Sequence, residues 1–278
     1  MEFRTLSQWT LLVVGALAVL VPIKSLSASP IVYVADLQND FGTLNLSTGA
    51  FSQLGTLNLP AGDYIYGMGF GANGNLYGLD SDVPANLWQI NPANADATEV
   101  GTISQGTAGA TADAAGTMFA LSQDISANFY TLAPPSTATD VIAATGYSAA
   151  GLAAVTADGS AFYATVQSDT SPYDDLASVN VSTGAVTDIG STGYTPDAGL
   201  FVDGTLYGFD TTSNAIVTLN TTTGAGTYVA TYDTPDGQNI VAAATPVAVP
   251  EPAGIVVLAF GGVALLRRRG MKKARVAQ

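Results

Sequence analysis

The amino-acid sequence predicts an all-β fold. It reads as a β-propeller of five four-stranded blades of about 43 residues, closed by strands from both ends of the core. An N-terminal signal helix and a C-terminal transmembrane helix flank it. Three observations carry this. An aromatic landmark recurs with that period, an apolar landmark recurs in step with it, and every Lys and Arg lies outside the repeating region.

The first landmark is "GNLYGLD" at Gly74–Asp80, which returns as "GTLYGFD" at Gly204–Asp210. "IVYVAD", "GTMFALS" and "GSAFYAT" fill the other periods, so the anchors are Tyr33, Tyr77, Phe119, Phe162 and Tyr207. The second follows each anchor as "GTLNLSTGA", "LWQINPANA", "FYTLAPPST", "ASVNVSTGA" and "VTLNTTTGA", aligning Leu44, Ile90, Leu132, Val179 and Leu219. Each period holds four short runs rich in Thr, Val, Tyr and Phe, and no helical periodicity competes with them. Asn73-Gly74, Asp158-Gly159 and Asp203-Gly204 are tight hairpin turns between the first run and the second. The first repeat begins at its second strand, and "NIVAAAT" at Asn239–Thr245 reads as the missing first strand, which would close the ring. The WD signature is absent, and a period near 20 would have indicated a β-helix. A β-sandwich or an open repeat array is the alternative.

The two ends read differently from the core. A polar start with Arg4, the apolar run Leu11–Ile23 and the small residues Ser25 and Ser27 predict a signal peptide over 1–27. Lys24 after the apolar run leaves an uncleaved anchor as the alternative. The repeat domain is expected over 28–248 and a C-terminal segment over 249–278. The apolar run 253–266 would cover about 21 Å as a helix, against a hydrocarbon core of about 30 Å. The basic cluster after it would stay on the cytoplasmic side.

Val249-Pro250-Glu251-Pro252, a short apolar span and the cluster Arg267, Arg268 and Arg269 resemble the PEP-CTERM sorting signal. The resemblance covers about the last thirty residues, and the tail after Arg269 is longer than that family's usual few basic residues. It implies export from a Gram-negative bacterium, as the family occurs often in ones that make exopolysaccharide. It also implies recognition of Pro250, Glu251 and Pro252 by the membrane protease exosortase, with Arg267, Arg268 and Arg269 as part of the signal. The protein would pass through an inner-membrane intermediate to the envelope, outer surface or extracellular matrix. It would be a substrate of exosortase, and its core a non-enzymatic protein that binds or structures exopolysaccharide or biofilm material.

Composition bounds the chemistry. The chain has no Cys and no His, and all eight basic residues lie at its ends. Of 22 acidic residues only Glu2 and Glu251 fall outside 28–248, which leaves that stretch at −20 without an internal cation. Such a surface repels nucleic acid. Triads with His, Cys nucleophiles, Lys-based mechanisms and His-ligated metals have no residues to build them. Carboxylates remain. A Ca²⁺-dependent, lectin-like propeller and, behind it, a carboxylate-based glycosidase are the alternatives to plain binding.

Site candidates fall on the long connections, which should share one face. Tyr64, Tyr66, Tyr147, Tyr194 and Tyr232 lie between blades, accompanied by Asp63, Asp197, Asp233 and Asp236. Asp36, Asp80 and Asp210 end the aromatic strand in three repeats. Together they could form a rim that stacks on sugars and accepts hydrogen bonds from hydroxyls. Capping of turns by Asp and stapling of loops by Tyr is the structural alternative. Asp169, Asp174 and Asp175 are the local candidates for Ca²⁺, the one cofactor considered, although their spacing is not that of an EF-hand.

Overall fold

The computed structural model describes residues 30–123, 127–168 and 171–246. The expected signal peptide, the Pro-Glu-Pro motif, the apolar run with its arginines, and Asp169 all lie outside the described residues. The described residues contain strands and no α-helix.

In chain order the strands are β1 (Ile31–Asp36), β2 (Asp40–Asn45), β3 (Phe51–Thr56), β4 (Ile65–Phe70), β5 (Leu76–Asp80), β6 (Asn86–Ile90) and β7 (Ala97–Thr102). Then come β8 (Gly109–Ala112), β9 (Met118–Leu121), β10 (Asn128–Leu132), β11 (Thr139–Ala144), β12 (Ala149–Val155), β13 (Phe162–Val166), β14 (Asp175–Val179) and β15 (Val186–Ser191). The last are β16 (Pro196–Val202), β17 (Thr205–Asp210), β18 (Ala215–Leu219), β19 (Gly226–Thr231) and β20 (Ile240–Ala244). They form antiparallel meanders in the orders β20-β1-β2-β3, β12-β13-β14-β15 and β16-β17-β18-β19. An eight-stranded sheet joins β4–β7 to β8–β11 through one parallel pair, Gly67 with Ala110. β20 completes the first meander, pairing Ala244 with Tyr33 and Ala242 with Ala35.

The first strands of successive meanders neighbour one another in the cyclic order β20, β4, β8, β12, β16 and back to β20. The ring is closed. Five apolar clusters follow the same order, each shared by two adjacent meanders. Leu76 and Met68 pack toward Phe41 and Ala242, for example, whereas Leu79 packs the other way toward Ala120 and Met118. Side chains of a strand alternate between its faces, so residues of both parities are buried where each face meets a neighbour. Fully burying one such Leu or Phe contributes about 1.5–3 kcal/mol.

The axis explains the Gly/Ala-rich inner strands. A Cβ on Gly67 would lie 2.4 Å from the Ala110 nitrogen, and one on Gly109 would lie 2.0 Å from the Gly151 carbonyl oxygen. Larger side chains have no place where the inner strands converge.

The "LNxxTG" motif latches one meander onto the next. The Asn45 side-chain oxygen accepts the Ser47 and Thr48 N–H groups at 3.0 and 3.1 Å, and its carbonyl accepts the Gly49 N–H at 2.8 Å. Asn180 and Asn220 repeat the arrangement. The closing residue is left-handed, with φ of 74° at Gly49, 69° at Gly184, 80° at Gly224 and 65° at Ala95. It also meets the preceding meander: a Cβ on Gly224 would stand 2.1 Å from the Gly190 carbonyl oxygen, and one on Gly49 1.9 Å from that of Thr231.

Candidate functional site

The inner strands all run the same way, so the long connections that precede them gather at one end of the axis. The tight turns and the "LNxxTG" turns occupy the opposite end. At the long-connection end, backbone bulges decide which side chains face the centre. The β4–β5 ladder skips Tyr66, the β16–β17 ladder skips Asp197 and the β20–β1 ladder skips Val241. A bulge turns its side chain out of the alternation of the strand. Tyr66 lines the axis with Ala110, Gly151, Ala198 and Ala242, and the space between them is too narrow for a water molecule. Asp197 lies against Gly151, whose added Cβ would come within 2.8 Å of the Asp197 Cα. The Tyr64 ring tilts onto Tyr66 with centroids 5.1 Å apart.

Carboxylates crowd this mouth without a cationic side chain. Burial pushes Asp174 up to about 7, helped by the like charges of Asp197, Asp175 and Asp210. Burial and Asp210 push Asp197 up to about 6, against a hydrogen bond from Thr211. Burial, a hydrogen bond with Tyr64 and the nearby Asp197 raise the Tyr66 phenol. The mouth therefore holds two acids that are partly protonated near neutrality beside a paired tyrosine platform. It can donate and accept hydrogen bonds from carboxyls and stack on an apolar ring face.

Asp36, Asp80 and Asp210 have a different setting. All three are buried at the ends of the second strands, where they bind their own loops. Asp80 Oδ1 accepts the Asn86 and Asp82 N–H groups at 2.8 and 3.2 Å, and Oδ2 accepts Asn86 Nδ2 and Trp88 Nε1, both at 2.9 Å. Asp210 accepts the N–H and hydroxyl of Thr195 and of Ser213. Burial acts to raise Asp210, but these hydrogen bonds outweigh it and leave it lowered. Asp36 Oδ1 accepts the Gln38 and Asp40 N–H groups at 2.9 Å, while its Oδ2 is buried with no protein partner. Burial raises Asp36.

The tyrosines also divide. Tyr232 is buried, donating its hydroxyl to the Asp210 carbonyl at 3.1 Å and meeting Phe209 edge-on. Tyr194 is half-buried over Gly226. Tyr147 is exposed on the β11–β12 connection. Asp175 opens β14 and pairs with Ser191.

Two features were not singled out by sequence, the grouping of Asp82 with Asp63 and Asp80 and a cavity at the opposite end of the axis. The carboxylates of Asp63, Asp80 and Asp82 lie within 4.8 Å of one another, and burial with the charges of Asp82 and Asp80 raises Asp63. Asp82 carries no motif that distinguishes it. At the opposite end of the axis a cavity of about 410 Å³ opens among Met68, Phe70, Ala112, Val155, Leu200 and Pro246. Its lining mixes Gly, Ala and larger apolar side chains with Thr111 and Asp113, and the sequence places no recognisable signal there.

No protein-family model and no curated protein sequence matches the chain. Among solved structures it is similar to a protein of unknown function from Bacteroides thetaiotaomicron, at 14% identity and a TM-score of 0.45. That match covers 71% of this chain and 49% of the other, about half its length. It is also similar to a chain in the nidogen/laminin complex, at 11% identity and a TM-score of 0.55, covering 78% of this chain and 98% of that one. With the closed order of inner strands, the second likeness makes the described chain a β-propeller.

Proposed function

We propose that this chain is a five-bladed, non-catalytic binding propeller, exported and sorted by a PEP-CTERM signal, that holds neutral glycans of the extracellular matrix at its acidic axis mouth. The observation that carries the reading is the pair of bulges that turn Tyr66 and Asp197 to the mouth, beside Tyr64 and Asp174. Aromatic faces with hydrogen-bonding carboxyls suit a ligand rich in hydroxyls and C–H faces. The −20 charge disfavours acidic polymers unless cations bridge them. The neighbour in the nidogen/laminin complex agrees with the fold and carries nothing about glycans.

A glycan array probed with the full chain tests this. Retention of a neutral glycan that Tyr66→Ala weakens about tenfold, roughly 1.4 kcal/mol, is the expected result. An array on which the chain retains nothing contradicts it.

A Ca²⁺-dependent version has one observation in its favour, the close carboxylates of Asp63, Asp80 and Asp82. A calcium titration decides between the two, since calcium would raise Tm in the wild type and not in Asp63→Asn. A glycosidase reading draws on Asp174 and Asp197, but the sizeable cavity opens at the other end of the axis from them. Sorting is tested separately: removal of 249–278 should leave an exported but unprocessed and unretained core. Unchanged mass and location after that deletion contradict it.

A further inference from the structure

β1 starts and β20 ends at the same end of the propeller, because the two pair antiparallel with Tyr33 opposite Ala244. The chain therefore leaves the described fold at Pro246, on the short-turn face and beside the axis, where Ala244, Thr245 and Pro246 line the mouth of the cavity. Ala253, the first residue of the apolar run, comes seven residues later. Seven Cα steps span at most about 25 Å.

We infer that, while 253–266 lies in the bilayer, the propeller stands with its short-turn face against the lipid surface and its acidic mouth turned away from it. This rests on the reading of 253–266 as a membrane segment. An inverted propeller is out of reach. From the innermost strand the tether would have to cross three strands at about 4.8 Å each and descend a six-residue strand at about 3.3 Å per residue, about 34 Å in all. A propeller lying on the rim of its closing meander, at β3, is also within the tether's reach, and it would hold the two faces equally far from the lipid, which headgroup quenching distinguishes. The short-turn face offers fewer carboxylates, those of Asp96, Asp113, Asp158 and Asp203, than the crowded opposite face. Tether length and charge point to the same arrangement. The proposed glycan site is then open to the outside even before processing, and the cavity at the short-turn end faces the membrane.

The chain has no cysteine, so single cysteines report position without interference. Ser47→Cys and Ser182→Cys sit on exposed "LNxxTG" turns, and Val83→Cys and Tyr173→Cys on exposed long connections. Each full-length variant, fluorophore-labelled, is added to phosphatidylglycerol and phosphatidylethanolamine vesicles carrying a headgroup quencher. Positions 47 and 182 should be quenched several-fold more than 83 and 173. Equal quenching of the two faces, or the reverse order, overturns the orientation while leaving the membrane segment intact. A chain that does not bind vesicles overturns the membrane-segment reading, and the orientation with it.

Discussion

Asp80 and Asp36 hold the same register position in neighbouring meanders, and their partners set opposite expectations. Asp80 accepts four hydrogen bonds, so Asp80→Ala strands buried donors of Trp88 and Asn86 and should cost about 3 kcal/mol, read as a fall in denaturation midpoint. In the Asp36 meander the residue at the Trp88 position is Gly42, which leaves Oδ2 without a donor. Asp36→Asn keeps an acceptor and removes a buried charge, so it should raise Tm at neutral pH. A lower Tm contradicts this. Asp174 and Asp197 set the pH dependence. Their folded pKa values of about 7 and about 6 lie above the ordinary 3.8, so the folded state binds more protons between those limits. Stability should therefore fall as pH rises from about 4 to 7 and level off above, which thermal melts in a pH series will show. Asp174→Asn should flatten the upper part of that slope.

At the scale of elements, the most repeated motif is a structural joint. "LNxxTG" supplies an Asx turn, a left-handed closing residue and a flat surface for the neighbouring carbonyl. Gly224→Ala should thus be among the most damaging single substitutions, beyond the roughly 1–3 kcal/mol usual for overpacking, because backbone rather than a flexible side chain lies in the way. Near-wild-type stability of that variant would contradict the latch. The strands, their order and the closing role of Ile240–Ala244 were legible because turn residues and apolar landmarks repeat in register. The mouth was legible only in part. Tyr66 and Asp197 leave the ladder because each sits in a bulge, and a bulge is a ladder property that no residue type announces. Asp36, Asp80 and Asp210 looked like rim groups because they share a position, yet burial directs them into their loops. The cavity left no trace because its walls, among them Met68, Thr111, Val155, Leu200 and Ala244, come from five different meanders and share no motif.

At the scale of the whole molecule, −20 without one internal cation makes self-repulsion a general term in stability. Raising sodium chloride from low millimolar to about 0.15 M shortens the screening length to about 8 Å and should raise Tm. An unchanged Tm would indicate that the carboxylates are already neutralised. The proposed export would display such a surface outside the cell, and both the glycan-binding reading and the membrane orientation depend on that delivery. The mass of the exported protein is the most direct measurement of it. A species that has lost 1–27 and the residues beyond the Pro250-Glu251-Pro252 region is expected, with Glu251→Ala accumulating the longer, membrane-bound form. An exported protein that keeps 253–278, or a mass unchanged by Glu251→Ala, would contradict it.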